Sequence, residues 1–76
     1  MRRVTVAPGR ALAYDEADWR DALVVVERGR IELEATGGGR RMFERGAVLW
    51  LVGVPLRALH NHGPECVVIV AVTRRR

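Results

Sequence analysis

The 76-residue sequence contains no lysine, serine or glutamine, and it has one cysteine and only four aromatic residues. One cysteine cannot form a disulfide within the chain, and no charged-then-apolar leader opens the sequence, so we expect a cytoplasmic location. No apolar run approaches the 18 or so residues that a membrane-spanning helix needs. The sequence therefore predicts a soluble protein with no membrane partner.

Positive charge is abundant, but much of it lies at the ends of the chain. All thirteen basic residues are arginine, and five of them occupy positions 2, 3, 74, 75 and 76. The rest of the chain then holds eight arginines against nine acidic residues. Without a helix-turn-helix, a zinc-finger spacing or a basic helix, we do not expect nucleic-acid binding. We interpret residues 1–76 as one domain with a core over about 9–73 and basic tails at 1–3 and 74–76.

Short runs rich in valine, leucine and isoleucine alternate with glycine and proline. Such runs have the length and composition of β-strands, and the breaks between them exclude long helices. Residues 27–30 and 36–39 offer glycine-containing turns, so we expect hairpin to follow hairpin, and we leave residues 15–21 as a loop. The predicted strands span 22–27, 31–35, 40–43, 48–52, 56–61 and 66–73.

The predicted strands differ in how many of their faces are apolar. Glu32 and Glu34 alternate with apolar neighbours, which predicts one solvated face on which these carboxylates have no catalytic role. Residues 24–26 and 67–70 show no alternation, so both faces of those strands should be covered. We expect an all-β barrel or two-layer fold that pairs with a second copy as a homodimer.

The glycine spacing resembles that of the small cupins. Gly9 and Gly29 stand at the two ends of that family's first motif, and Gly46 and Asn61 stand at the ends of its second. The resemblance covers nearly the whole chain, from Gly9 to about residue 72. It implies a small antiparallel jelly-roll β-barrel.

The residues that bind metal in cupins are missing from the corresponding positions. The slots that carry three histidines and a glutamate fall here on Asp15, Ala17, Ala22 and Arg57. Shifting the register by one places the first pair on Glu16 and Asp18, and recounting the second motif moves its slot to Leu56. Since no register restores a histidine, we expect no metal in the barrel and no cofactor.

Three residues remain as candidates for ligand binding. In the stated register, Asp15 and Arg57 could face one another across the vacated pocket as an ion pair, or Arg57 could meet an anionic ligand. The alternative is that Arg57 is an outward-facing strand residue. Trp50 belongs to the core or an interface, or lines a cavity.

A surface metal site is a further possibility that the sequence leaves open. His60 and His62 are two apart on a predicted strand and so project from one face, and Cys66 or Glu65 could approach across the next turn. The alternatives are two polar histidines at the mouth of a hairpin and a cysteine that serves as a small buried hydrophobe. A nucleophilic role for Cys66, assisted by a histidine, has little support.

We therefore expect a metal-free, cupin-like module that binds a small organic molecule or a protein partner and is not catalytic. The alternative is a metal-independent cyclase or isomerase in which Asp15, Arg57 or Glu16 supplies charge. A third hypothesis is a regulatory sensor whose ligand alters its association with another protein.

Overall fold

The structure is a computed structural model that describes residues 1–15, 19, 22–51 and 53–73. These residues form an all-β fold, as the sequence predicted. The eight strands are β1 (Arg2–Val6), β2 (Ala11–Ala13), β3 (Ala22–Arg28), β4 (Arg30–Ala35), β5 (Arg40–Glu44), β6 (Val48–Trp50), β7 (Leu56–His60) and β8 (Val67–Thr73).

The strands form two antiparallel four-stranded sheets. Sheet A has the order β1-β8-β3-β6, and sheet B has the order β2-β7-β4-β5. The pairing is nested, because β1 pairs with β8, β2 with β7, β3 with β6 and β4 with β5. In the part of the chain described here, the first half of the strands therefore pairs with the second half in reverse order, and the pairs are distributed over two layers.

Strand pairing does not close these layers into a barrel within the described ranges. The edge strands are β1 and β6 in sheet A, and β2 and β5 in sheet B. The sandwich therefore has two lateral edges, one between β1 and β2 and the other between β5 and β6. Barrel closure, which the resemblance implied, is not confirmed.

Most connections cross from one sheet to the other. The turn over 36–39 joins the paired strands β4 and β5, but the turn over 27–30 joins strands of different sheets. The expectation of a hairpin at 27–30 is therefore wrong. Gly29 has a φ of 80° there, and a Cβ would lie 3.0 Å from the Cys66 carbonyl oxygen and from Val67 Cγ2. Only glycine fits this close crossing without strain.

The first two strands were not predicted. β1 contains two arginines among five residues, and β2 is only three residues long, so neither forms an apolar run. The structure places Arg2 and Arg3 inside β1, so the prediction of a basic tail over residues 1–3 is wrong for these two arginines. Residues 74–76, the other expected tail, lie outside the described residues.

The core lies between the two sheets and consists of their inward-facing side chains. Sheet A contributes alternate residues such as Val24, Val26 and Ile69, and sheet B contributes Ile31 and Leu59. This alternation confirms the predicted single apolar face of β4, since Glu32 and Glu34 lie on its other side.

One polar residue, Asn61, is fully buried beside this core, with 1% of its surface exposed. Its side-chain amide donates hydrogen bonds to the Val6 carbonyl (2.9 Å) and the Glu65 carbonyl (2.7 Å). Its side-chain oxygen accepts one from the Gly63 amide at 2.9 Å. Because every polar atom of the side chain is satisfied, Asn61 ties β1 to the β7–β8 connection.

Candidate ligand-binding groove

Trp19 fills the edge of the sandwich between β1 and β2, which we call the closed edge. Only 3% of Trp19 is exposed, and its ring packs in the core. The Tyr14 ring stacks on it at 6.4 Å between centroids, and the guanidinium carbon of Arg2 lies 4.9 Å from its ring centroid. These contacts hold the indole in place at this edge. A cleft of about 380 Å³ lies beside it, lined by Trp19 and by residues of β1 and β2.

The edge between β5 and β6, which we call the open edge, carries a groove of about 440 Å³. The groove reaches the core, because the buried residues Leu33 and Leu56 of sheet B and Leu51, just after β6, lie along it. Its wall is mainly apolar, which is typical of small-molecule sites. The lining residues are Leu33, Ala35, Gly39, Arg40, Arg41, Phe43, Val48, Leu49, Trp50, Leu51, Val54 and Leu56.

Two arginines bring positive charge to this groove, and they differ in their partners. Arg40 lies 3.2 Å from Glu32 and 3.9 Å from Glu34 on the outer face of sheet B. Arg41 is opposite Leu33 in the register and therefore belongs to the inner side of β5. None of the residues described in the structure forms a hydrogen bond or ion pair with Arg41. Its charge is therefore available to a ligand in the groove.

Trp50 lies on the wall of the groove with 53% of its surface exposed. It pairs with Leu23, so it belongs to the outer side of β6, at the rim where the groove meets the outer face of sheet A. An indole exposed to this extent beside an apolar groove offers a large surface for contact. Its role in binding stays a prediction.

The other two candidate binding residues lie away from this groove. Asp15 is exposed just after β2. Arg57 has a side chain that is 62% exposed, donates a hydrogen bond to the Thr36 carbonyl at 3.3 Å and lies 3.9 Å from Glu34. The pairing of Asp15 with Arg57 across a pocket stays a prediction.

The described positions of the cupin metal slots lie in different surroundings. Ala22 is buried in the core on β3, whereas Arg57 is exposed on β7. Leu56, the slot in the alternative count, is a lining residue of the groove. Ala17, Glu16 and Asp18 lie outside the described residues.

The outer face of sheet B carries a charged network instead of separate solvated groups. Nε2 of His60 lies 2.7 Å from Glu34 Oε1, and Nε2 of His62 lies 2.7 Å from Glu32 Oε1. Hydrogen bonds from His62 and His60 hold the pKa values of Glu32 and Glu34, respectively, below their ordinary value of 4.5, against the opposing effect of desolvation. The positive charge of Arg40 lowers both further.

The two histidines lie side by side on this face, as their spacing predicted. Their rings stack with centroids 5.5 Å apart and planes 6° from parallel. Cys66 is exposed, so the interpretation of this cysteine as a small buried hydrophobe is wrong. The described ranges contain no group of three or more His, Cys, Asp or Glu side chains placed to hold a metal ion.

Sequence reasoning missed Arg41 and Phe43 as groove residues. Both lie on the inner side of β5, two residues apart, and the alternation Arg41-Met42-Phe43 is the signal that could have placed them there. What the alternation alone could not show is that β5 and β6 form two walls of one groove, since they belong to different sheets.

Compared with protein-family models, with curated proteins and with solved structures, the chain gives no match. None of the residues described here belongs to a helix long and apolar enough to cross a membrane.

Proposed function

We propose that this chain is a metal-free, non-catalytic binding module. Its groove at the open edge holds a small organic molecule that has an apolar body and one anionic group. The observation that carries this proposal is an apolar groove of about 440 Å³ with an arginine, Arg41, that has no partner among the described residues.

The apolar wall favours the body of such a ligand. Leu33, Leu51 and Leu56 lie along the groove, and Trp50 stands exposed at its rim. Covering apolar surface contributes about 25 cal/mol for each Å² removed from water. A charged group on the ligand must be paired as it leaves water, and Arg41 is placed to do this at the rim.

The same lining favours binding over turnover. The described lining residues include no carboxylate, imidazole, thiol or hydroxyl side chain. General acid–base and nucleophilic catalysis both need one of these groups within hydrogen-bond reach of the substrate. Arginine stays protonated at neutral pH and so does not exchange protons with a ligand.

We also propose that the two sheets form a cupin-type jelly roll. The nested strand pairing supports this, because a jelly roll consists of eight strands in two antiparallel sheets. The positions shared with the cupin motifs support it as well. Gly9, Gly29 and Gly46 all have positive φ. Asn61 is the buried amide that bonds the end of β1 to the β7–β8 connection.

Calorimetric titration with octanoate, 1-octanol and acetate tests the ligand proposal. Octanoate has both the apolar body and the anion, whereas 1-octanol lacks the charge and acetate lacks the body. We expect octanoate to bind saturably and tighter than either of the others. Saturable binding of 1-octanol with equal affinity would overturn the role of charge, and no saturable binding of octanoate would overturn the proposal.

Arg41→Met and Arg45→Met provide a matched pair of variants. Both remove an exposed arginine from the chain, but Arg45 is not a lining residue of the groove. We expect Arg41→Met to weaken octanoate binding about two- to fivefold, which is the usual contribution of an exposed ion pair, and to leave the affinity for 1-octanol unchanged. Arg45→Met should change neither the affinity for octanoate nor that for 1-octanol. Equal losses in both variants would show that only the overall charge matters.

A further inference from the structure

The outer face of sheet A is apolar across β6, β3 and β8 and becomes polar at β1, where Arg3 lies. One cross-strand row contains Trp50, Leu23 and Val72. The next row contains Val48, Val25 and Val70 and ends at Arg3 on β1. Trp50, Leu23, Val72 and Val48 are large apolar residues that are exposed in the single chain.

The burial pattern shows that this apolar face is separate from the core. Val70 is buried but does not belong to the core cluster, whereas its neighbours Ile69 and Ala71 do. Valines therefore project from both sides of β8. The outer face of sheet B is different, because Glu32, Glu34 and His60 lie there. An antiparallel sheet ordinarily keeps one polar face toward water, and sheet A does not.

We propose that the outer face of sheet A packs against the same face of a second copy of the chain. The charges on this face favour a copy over a charged partner. Arg3 and Glu27, near one end, lie 3.4 Å from each other, so they neutralise one another. An uncharged apolar face offers a charged partner nothing to pair with, while it is complementary to itself in a two-fold dimer.

The size of the face fits a dimer of moderate stability. The strands β1, β8, β3 and β6 hold 5, 7, 7 and 3 residues. At about 3.4 Å per residue and about 4.8 Å between strands, they give a flat area of about 360 Å² per copy. Both copies together contribute about 700 Å² of flat area, and protruding side chains raise this toward the ~1,000 Å² at which interfaces become specific. We therefore expect a dimer that dissociates on dilution into the micromolar range.

Val72→Glu and Met42→Glu test the proposal as a matched pair. Val72 and Met42 are each 42% exposed, on the outer faces of sheets A and B respectively, and neither is a lining residue of the groove. In sedimentation velocity from about 1 µM to about 1 mM, the unmodified chain should approach twice the 8.5 kDa of one chain. Met42→Glu should behave in the same way, and Val72→Glu should stay at 8.5 kDa throughout.

Three results would overturn the proposal. These are an unmodified chain that stays monomeric at the highest concentration, a dimer that persists in Val72→Glu, and a dimer lost equally in Met42→Glu.

If circular dichroism shows that Val72→Glu does not fold, hydrogen exchange of the unmodified chain at low and high protein concentration replaces this variant as the test. We then expect concentration-dependent protection in β6, the exposed edge strand of sheet A, and none in β5. Protection that does not depend on concentration contradicts the dimer.

Discussion

The two lateral edges of the sandwich have similar frameworks but are packed differently. Each has a tryptophan, yet Trp19 at the closed edge is 3% exposed and Trp50 at the open edge is 53% exposed. Trp19 lies between Tyr14 and Arg2, whereas Trp50 stands beside a groove of about 440 Å³. Both edges carry a cleft, of about 380 Å³ at the closed edge and about 440 Å³ at the open edge, but the tryptophan is buried in the core at the closed edge and exposed at the open edge.

Truncating each tryptophan in turn should give the largest difference between the edges. Trp19→Ala removes a buried indole and leaves a cavity, so we expect it to lower the free energy of unfolding by about 3–5 kcal/mol. Trp50→Ala should cost less than about 1 kcal/mol, because half of its side chain is in water in the monomer. Urea denaturation measures both. Similar losses for the two variants would contradict the difference in packing.

Asn61→Ala should loosen the closed edge alone. The substitution leaves the Val6 and Glu65 carbonyls and the Gly63 amide without their partner. Unsatisfied buried groups of this kind cost about 2–4 kcal/mol in total. In hydrogen exchange, we expect protection to fall in β1 and in the β7–β8 connection and to persist in β4 and β5. A uniform loss of protection from hydrogen exchange at both edges would show that Asn61 stabilises the whole sandwich.

Filling the groove should block ligand binding at the open edge. Ala35 is a half-buried lining residue whose neighbours in the groove include Leu33 and Leu56. We expect Ala35→Leu to change the free energy of unfolding by no more than about 1 kcal/mol, since the added methyl groups enter open space. The same variant should abolish octanoate binding in calorimetry. Unchanged binding would place the ligand elsewhere.

Acidification should have a smaller effect on stability, and this effect arises on the outer face of sheet B. The folded pKa values of Glu32 and Glu34 are lowered, so their contribution is fully present above the unfolded value of 4.5 and is lost as the pH falls through the folded values. The thermal midpoint should therefore fall as the pH decreases below about 5. Glu34→Gln should flatten this dependence. A slope that is the same in the variant and the unmodified chain would contradict the assignment to Glu34.

The alternating and continuous apolar runs predicted the all-β class and six of the strands. They missed β1 and β2 because Arg2 and Arg3 interrupt the first strand and the second is only three residues long. The outer position of Glu32 and Glu34 on β4 was predicted correctly, but their side chains are only 16% and 14% exposed and are paired with histidine and arginine instead of water. His60 is 26 residues from Glu34 along the chain, and only the fold brings them together.

The candidate site was less predictable than the fold. Trp50 was named as a cavity residue, but Arg41 was not, because a site between β5 and β6 depends on how two sheets stack. The cytoplasmic location stays a prediction. The Asp15–Arg57 pair, which came from a family register alone, also stays a prediction.

The most direct test of the proposed groove follows the two indole N–H signals of the Val72→Glu variant by heteronuclear NMR during an octanoate titration, because a second copy does not cover Trp50 in this variant. We predict that the Trp50 signal shifts saturably together with the amides of β5 and β6, while the Trp19 signal stays in place. A shift of the Trp19 signal alone, or no saturable shift at Trp50, would contradict this prediction.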